Sequence, residues 1–228
     1  LVLESGFGRR SFWSVGRDGD FPPQDTTPEI LEWHALVSLD SVIDIMFFNR
    51  EVLNLTVLKM NLETLEAMDF FWAALKDRER IADLFIQEVT TMEGYRLSYD
   101  EEFTSESVRR VMSALANREP FKSTNKKEGR LYSNHLWMMD DLGLEKAMIQ
   151  PVKQLNVEHL RQDLSTSLPY TEIQIHVVPL HLNAHKVSKN NILLNFFKIQ
   201  LGEDENTVTI EGLPLDQYIL NVINHELV

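Results

Sequence analysis

Three histidines, His176, His181 and His185, stand at an H-x4-H-x3-H spacing, the one ligand-like spacing in the chain. Imidazoles hold zinc when three or four ligands converge on it. Along an extended strand, His176 and His181 differ by five positions and face opposite sides, so they share a metal only if the chain bends between them. Pro179 is the candidate for such a bend. The expectation is exposed strand and loop histidines and no metal site. The neighbouring acids Asp140 and Asp141 invite a metal or acid–base reading. Adjacent helical residues point about 100° apart, and the helix dipole disfavours acids near a C-terminus. A structural ion pair is expected there.

Lys122, Lys126, Lys127 and Arg130 make the segment FKSTNKKEGR the most basic in the chain. It reads as a polar loop and offers contact with phosphate or an acidic partner. Large apolar residues mark a different chemistry. Phe7, Phe12 and Trp13 sit in a glycine- and proline-punctuated stretch without periodicity. Aromatics in such an arm are candidate anchors on a partner protein. Phe70 and Phe71 precede Trp72 directly, and adjacent helical positions cannot all face one core. They are the second candidate partner surface.

These side chains need a scaffold. The longest helical pattern is Asn61 to Val89, with Leu65, Met68, Trp72, Leu75, Ala82, Ile86 and Val89 on one face and Phe71, Ala74, Ile81 and Phe85 beside them. Asn61 is a suitable N-cap. The run Lys76-Asp77-Arg78-Glu79-Arg80 is read as the solvated turn of one continuous or bent helix. The alternative is a joint, with Asp77 capping a second helix.

Around that spine, residues 1–27 read as an extended or disordered arm. Helices are expected from Pro28 to Ser38, from about Asp40 to Arg50, and from Thr104 or Ser105 to Asn117. Shorter ones are expected over Ser133–Leu142, stopped by Gly143, over Leu144–Gln150, stopped by Pro151, and from Asn156 to Leu164. Leu53–Met60 alternates like a strand, and Thr90–Phe103 reads as a solvated connection broken by Gly94. The segment Ser165–Tyr170 is the candidate boundary between a helical body, 28–164, and a β-β-β-α subdomain, 171–228. Its strands are expected in Thr171–Leu182, Asn191–Leu201 and Thr207–Glu211, the last two as a hairpin, with Pro179 placing the first at an edge or ending its pairing. Asp216 would cap the terminal helix. The fold class is therefore α+β, mainly helical around one long helix, with a small C-terminal antiparallel sheet and a terminal helix.

Composition narrows the function. The 228 residues include no cysteine, so disulfides, thiolate metal sites and cysteine nucleophiles are excluded. A net charge of −13 repels nucleic acid on average, leaving only the local basic loop for such contact. No apolar run is long enough to span a membrane. The chain opens on Leu1, compatible with removal of a targeting peptide, and an intracellular or organellar setting is the expectation. There is no G-x-S-x-G elbow, Walker loop, EF-hand loop or kinase signature, and nine glycines leave little material for phosphate-cradling loops. No cofactor is expected.

The reading that follows is a non-catalytic interaction or scaffold subunit of a larger assembly, bound to other protein subunits. Two alternatives stand beside it. One is an enzyme whose site lies between helical body and C-terminal sheet and draws on Asp140, Asp141, His176 or His181. The other is a nucleic-acid-associated factor using the basic loop.

Overall fold

The computed structural model describes residues 56–164, 168–181, 183–204 and 206–227. The expected arm with Phe7, Phe12 and Trp13, and the expected helices between Pro28 and Arg50, lie outside them.

The architecture is α+β. Strand β1, Val57–Asn61, opens the described chain and gives strand character to Val57–Met60 of the expected strand; Leu53–Leu55 lie outside the described residues. Six helices follow: α1 (Glu63–Lys76), α2 (Asp83–Thr91), α3 (Glu93–Ser98), α4 (Ser105–Asn117), α5 (Lys126–Asp140) and α6 (Leu142–Gln154). A 3-10 turn, Glu158–Asp163, leads to β2 (Glu172–Val178), β3 (His185–Ser188) and β4 (Asn191–Asn195). Next come β5 (Ile199–Leu201), β6 (Val208–Ile210), β7 (Leu213–Pro214) and the terminal helix α7, Leu215–Glu226.

Two sheets result. The small antiparallel sheet β5-β6-β7 contains the expected hairpin, and α7 follows it with Tyr218, Ile219, Val222 and Ile223 buried. The larger sheet has the order β1-β2-β4-β3, with β1, β2 and β4 parallel and β3 antiparallel. Parallel neighbours need a long crossover. Between β1 and β2 that crossover is the whole helical segment, so one sheet joins the two sides of the expected division at 165–170. The described residues fall in one compact unit. Strand β2 is central rather than at an edge; Pro179 lies just past its end, where the pairing stops. The expected strand Asn191–Leu201 is split by a 3-10 turn at Phe196–Lys198, which passes the chain from one sheet to the other.

The spine is two helices, not one. Leu65, Met68, Phe71, Trp72 and Leu75 are buried along α1, and Ile86 and Val89 along α2. Arg78 takes a left-handed conformation, φ 60°, and the amides of Arg78 and Glu79 turn back to the carbonyls of Leu75 and Ala74. That is the αL stop of a helix. The carbonyl of Leu75 also accepts from the Arg118 guanidinium, 3.2 Å away. A helix end satisfied by its own chain and by a neighbour has no reason to continue through five charged residues. Asp77 is the C-cap of α1, and the chain between leaves Ala82 exposed before α2 begins at Asp83. Asn61 still contributes, its Oδ1 accepting from the Glu63 amide at 3.1 Å.

The Thr90–Phe103 stretch is mostly helical rather than a solvated loop. Gly94 lies in α3 and is buried with Tyr95. A Cβ on Gly94 would sit 2.6 Å from Val178 Cγ2 and 2.7 Å from Thr64 Oγ1. Glycine is required there because α3 presses on both β2 and α1. Gly94→Ala gains helix propensity but overpacks this contact. We expect a net loss of about 1–2 kcal/mol, read by chemical denaturation; unchanged stability would place slack at this junction.

The remaining helices follow local signals with four corrections. α5 begins at Lys126, inside the expected loop, because Asn125 Oδ1 accepts from the Glu128 amide at 2.9 Å. Gly143 does not stop a helix. α5 ends at Asp140, and α6 starts two residues later, with Asp141 as its N-cap. α6 also runs through Pro151 to Gln154, where buried Ile149 and Val152 hold it to the core. A 3-10 turn takes the place of the expected helix, and Asn156 Oδ1 accepts from the Glu158 amide at its start, 3.0 Å away.

Candidate functional site

Two of the concave regions among the described residues, and one buried polar pair, gather the groups named above. The first concavity is an apolar groove of about 470 Å³ between the C-terminal ends of α1 and α4 and the flank of α5. Leu75, Leu115, Tyr132, Leu136 and Met139 line it, with Lys76, Arg118 and Glu119 also on its walls. Leu136 is 41 % exposed and its neighbour Trp137 is 47 % exposed. Burial on α5 explains this. Leu131, His135 and Met138 take the core face, so Leu136 and Trp137 are rotated away from it.

The second is a polar pocket of about 250 Å³ just beyond the carboxyl end of β2. Ser98 and Asp100 come from the end of α3 and the chain after it, Lys127 from the first turn of α5, and His181, His185 and Lys186 from the β2–β3 connection and β3. Carboxyl ends of parallel strands are where open sheets place ligands. Asp100 is held well below the usual carboxylate range, at about 2, by its hydrogen bond to Lys127 and by the amides of Glu102 and Phe103. Burial, with Lys127 and Lys186 nearby, depresses His181 to about 4, so its imidazole is neutral. The ring lies 4.2 Å from that of Phe103, and Nδ1 is buried without a hydrogen-bond partner. Lys186 Nζ donates to the carbonyls of Leu97, at 3.0 Å, and Tyr99, at 3.5 Å. At the pocket wall, His185 is clamped between the Tyr218 hydroxyl, 2.7 Å from Nδ1, and Glu226, 2.6 Å from Nε2.

The three histidines do not converge. His176 is buried in β2 and meets Asn191 Oδ1 at 3.1 Å, while His181 and His185 belong to the polar pocket. Among the described residues no group of three or more His, Asp or Glu is placed to hold a metal ion. Asp141 corrects the ion-pair expectation: its Oδ1 accepts from the amides of Gly143 and Leu144, each at 3.0 Å. Its carboxylate sits at the start of α6, where the dipole favours it, rather than serving as an unfavourable end of α5. Asp140 is exposed on α5. Of the four groups proposed for an enzyme site, only His181 enters the polar pocket.

The basic segment is partly neutralised. Lys127 pairs with Asp100 at 2.7 Å and Glu102 at 3.3 Å. Lys122, Lys126 and Arg130 are exposed. Glu128, buried within the same segment, accepts from Arg110 at 3.1 Å and from the Thr124 amide at 2.8 Å. Phe70 is 55 % exposed and meets Phe85 edge-on at 5.4 Å, whereas Phe71 is wholly buried. Phe71 is therefore core, because α1 turns its two aromatics about 100° apart and only one can face out.

Asp100 and Lys186 belong to no motif or spacing in the sequence. Lys186 directly follows His185, so the histidine cluster pointed to the right neighbourhood. Asp100 sits in an acidic run whose approach to the β2–β3 connection is set by tertiary packing. No spacing rule connects the buried pair of Trp72 and His135 across 63 residues either.

Among the described residues no helix is long and apolar enough to cross a membrane. No protein-family model matches the chain, and no curated protein or solved structure shows significant similarity to it.

Proposed function

We propose that this chain is a non-catalytic interaction subunit of a larger protein assembly, and that its apolar groove receives an amphipathic helix from a partner subunit. The carrying observation is the pairing of that groove with Leu136 on its wall and exposed Trp137 next to it. Tryptophan and leucine on a helix flank beside a concave apolar surface suit helix-in-groove recognition, in which a few large side chains supply most of the affinity. Lys76 and Arg118 outnumber Glu119 on the groove walls of a chain whose net charge is −13. The partner helix accordingly carries carboxylates beside its apolar stripe. Phe70 and Leu84, both exposed on α1 and α2, offer a further apolar contact for the same assembly.

The enzyme alternative gains less support, since Asp140, Asp141 and His176 stand apart from the pocket that holds His181. The nucleic-acid alternative is left with three unneutralised cations on a strongly acidic chain.

The test is a photo-crosslinker at Trp137 in the native cell, paired with co-purification of wild type and of Leu136→Asp. One defined subunit should crosslink through an acidic amphipathic segment and be lost, with affinity at least about tenfold weaker, from Leu136→Asp of unaltered circular dichroism. A monodisperse monomer that crosslinks to nothing defined, or a partner retained by Leu136→Asp, would overturn the reading.

A further inference from the structure

A pair of carboxyl groups ties together the two helices whose far ends wall the apolar groove. Glu145 lies in the first turn of α6, buried, with Oε1 enclosed and without a hydrogen-bond partner. The side chain it meets is Asp69 of α1, a second carboxyl. Two carboxyl groups attract each other only while one of them holds a proton to donate. A cation set between them would remove that condition, but the nearby ammonium groups are placed otherwise. Lys153 lies 3.5 Å from Asp69 and 4.0 Å from Glu66, and Lys146 is exposed on α6. Strands β5 and β6, which pack on α6, carry no charged residue. Asp140, the α5 charge nearest in sequence, is exposed.

We propose that the Asp69–Glu145 pair is a proton-held latch: the shared proton keeps the α5–α6 joint against α1, and its loss frees that joint and the groove wall with it. The mechanics follow from the connection. Asp141 alone joins the two helices, ending α5 and capping α6. Met139, six positions before Glu145, and Leu75, six positions after Asp69, both line the groove. A joint released from α1 therefore shifts one groove wall against the other. The sign follows from the environment. Burial, then the Asp69 carboxylate, raises the closed Glu145 carboxyl to about 8, whereas the released side chain returns to its ordinary 4.5. Opening thus gives up a proton between those values. It becomes about tenfold more frequent for each pH unit there and levels off above the upper one. Weaker hold on a partner at high pH is the consequence, and that consequence rests on the groove reading above; the latch itself does not.

The test is amide hydrogen exchange of the full chain between about pH 5.5 and 8.5, corrected for the intrinsic pH dependence of exchange. Protection of residues 142–149 should fall at least about tenfold over that range, relative to α7. Residues 133–140, the groove wall on α5, should lose protection with them. Glu145→Gln, whose amide donates to Asp69 at every pH, should keep both segments constant. Asp69→Asn leaves Glu145 in place but removes the opposing carboxylate, so its fall should level off at a lower pH than in wild type. The same pH dependence in Glu145→Gln, or levelling in Asp69→Asn where wild type levels, overturns the latch. Loss of protection confined to 142–149 overturns its coupling to the groove. No partner enters the measurement, so failure of the assembly reading leaves the result standing.

Discussion

Trp72→Ala should destabilise the protein by about 3–5 kcal/mol, the range for deleting a large aromatic from a packed core. Trp72 is wholly buried on α1 and stacks on Phe196 at 5.8 Å, with Phe197 at 6.1 Å. It thus joins the helical spine to the 3-10 turn that links the two sheets. Its indole Nε1–H donates to His135 Nδ1 at 3.0 Å. That bond fixes the tautomer: Nδ1 accepts, so the ring proton is on Nε2. Burial depresses His135 to about 3, and the ring stays neutral in the folded chain. The sign of the pH dependence follows. A histidine with a depressed folded value contributes stability that is present above its ordinary value of 6.5 and lost as pH falls towards 3. His135→Phe should remove that acid-side slope while leaving the indole donor unpaired, at about 1–3 kcal/mol. Urea titrations of wild type, Trp72→Ala, His135→Phe and the double variant would separate packing from the hydrogen bond. Additive losses and an unchanged acid slope in His135→Phe would contradict this picture.

Glu145→Gln should do the opposite and stabilise the chain, by about 2–3 kcal/mol above pH 8. Glu145 is 1 % exposed on α6, and its Oε1 is buried without a hydrogen-bond partner. Burial first, then the Asp69 carboxylate on α1, pushes its carboxyl up to about 8, against the pull of Lys146 and Lys153. Lys153 is shared, lying 3.5 Å from Asp69 and 4.0 Å from Glu66. A carboxyl whose folded value is raised contributes stability that is complete below its ordinary value of 4.5 and is lost as pH rises through about 8. Glutamine keeps the shape and replaces the carboxyl O–H with an amide N–H2, without the charge. The gap in Tm between Glu145→Gln and wild type should therefore be small at pH 4.5 and widen to about 4–12 °C at pH 8.5 for a chain of this size. Parallel curves across that range would mean that Glu145 reaches water and ionises freely.

Both effects come from polar groups that helical periodicity places on a core face but cannot pair. His135 falls on the same stripe as Leu131 and Met138, and Glu145 on that of Met148, Ile149 and Val152. Their partners sit on α1, more than 60 positions earlier. The same limit governs the candidate sites. Exposure of Phe70 beside buried Phe71 was half legible, because adjacent helical positions must diverge. Which of the two faces out depends on where α2, starting at Asp83 after α1 has stopped around Arg78, lays Phe85. The groove and the polar pocket each draw on three separate segments, so neither has a spacing that could be read along the chain.

By itself, the sequence determined what local physics controls. That includes the α+β class, the strand character near Met60, the apolar faces of α1, α4 and α7, the β5–β6 hairpin and the exclusion of cysteine chemistry. Tertiary structure decided what depends on distant partners. It ended α1 with Arg118 and a left-handed turn, joined β1 to β2 across the entire helical segment, and gave Asp141 to a helix N-terminus. It also brought Lys186 and His181 to one pocket at the end of β2. Periodicity and capping act over one or two turns, whereas strand pairing and the matching of buried charges act between segments whose proximity exists only after folding.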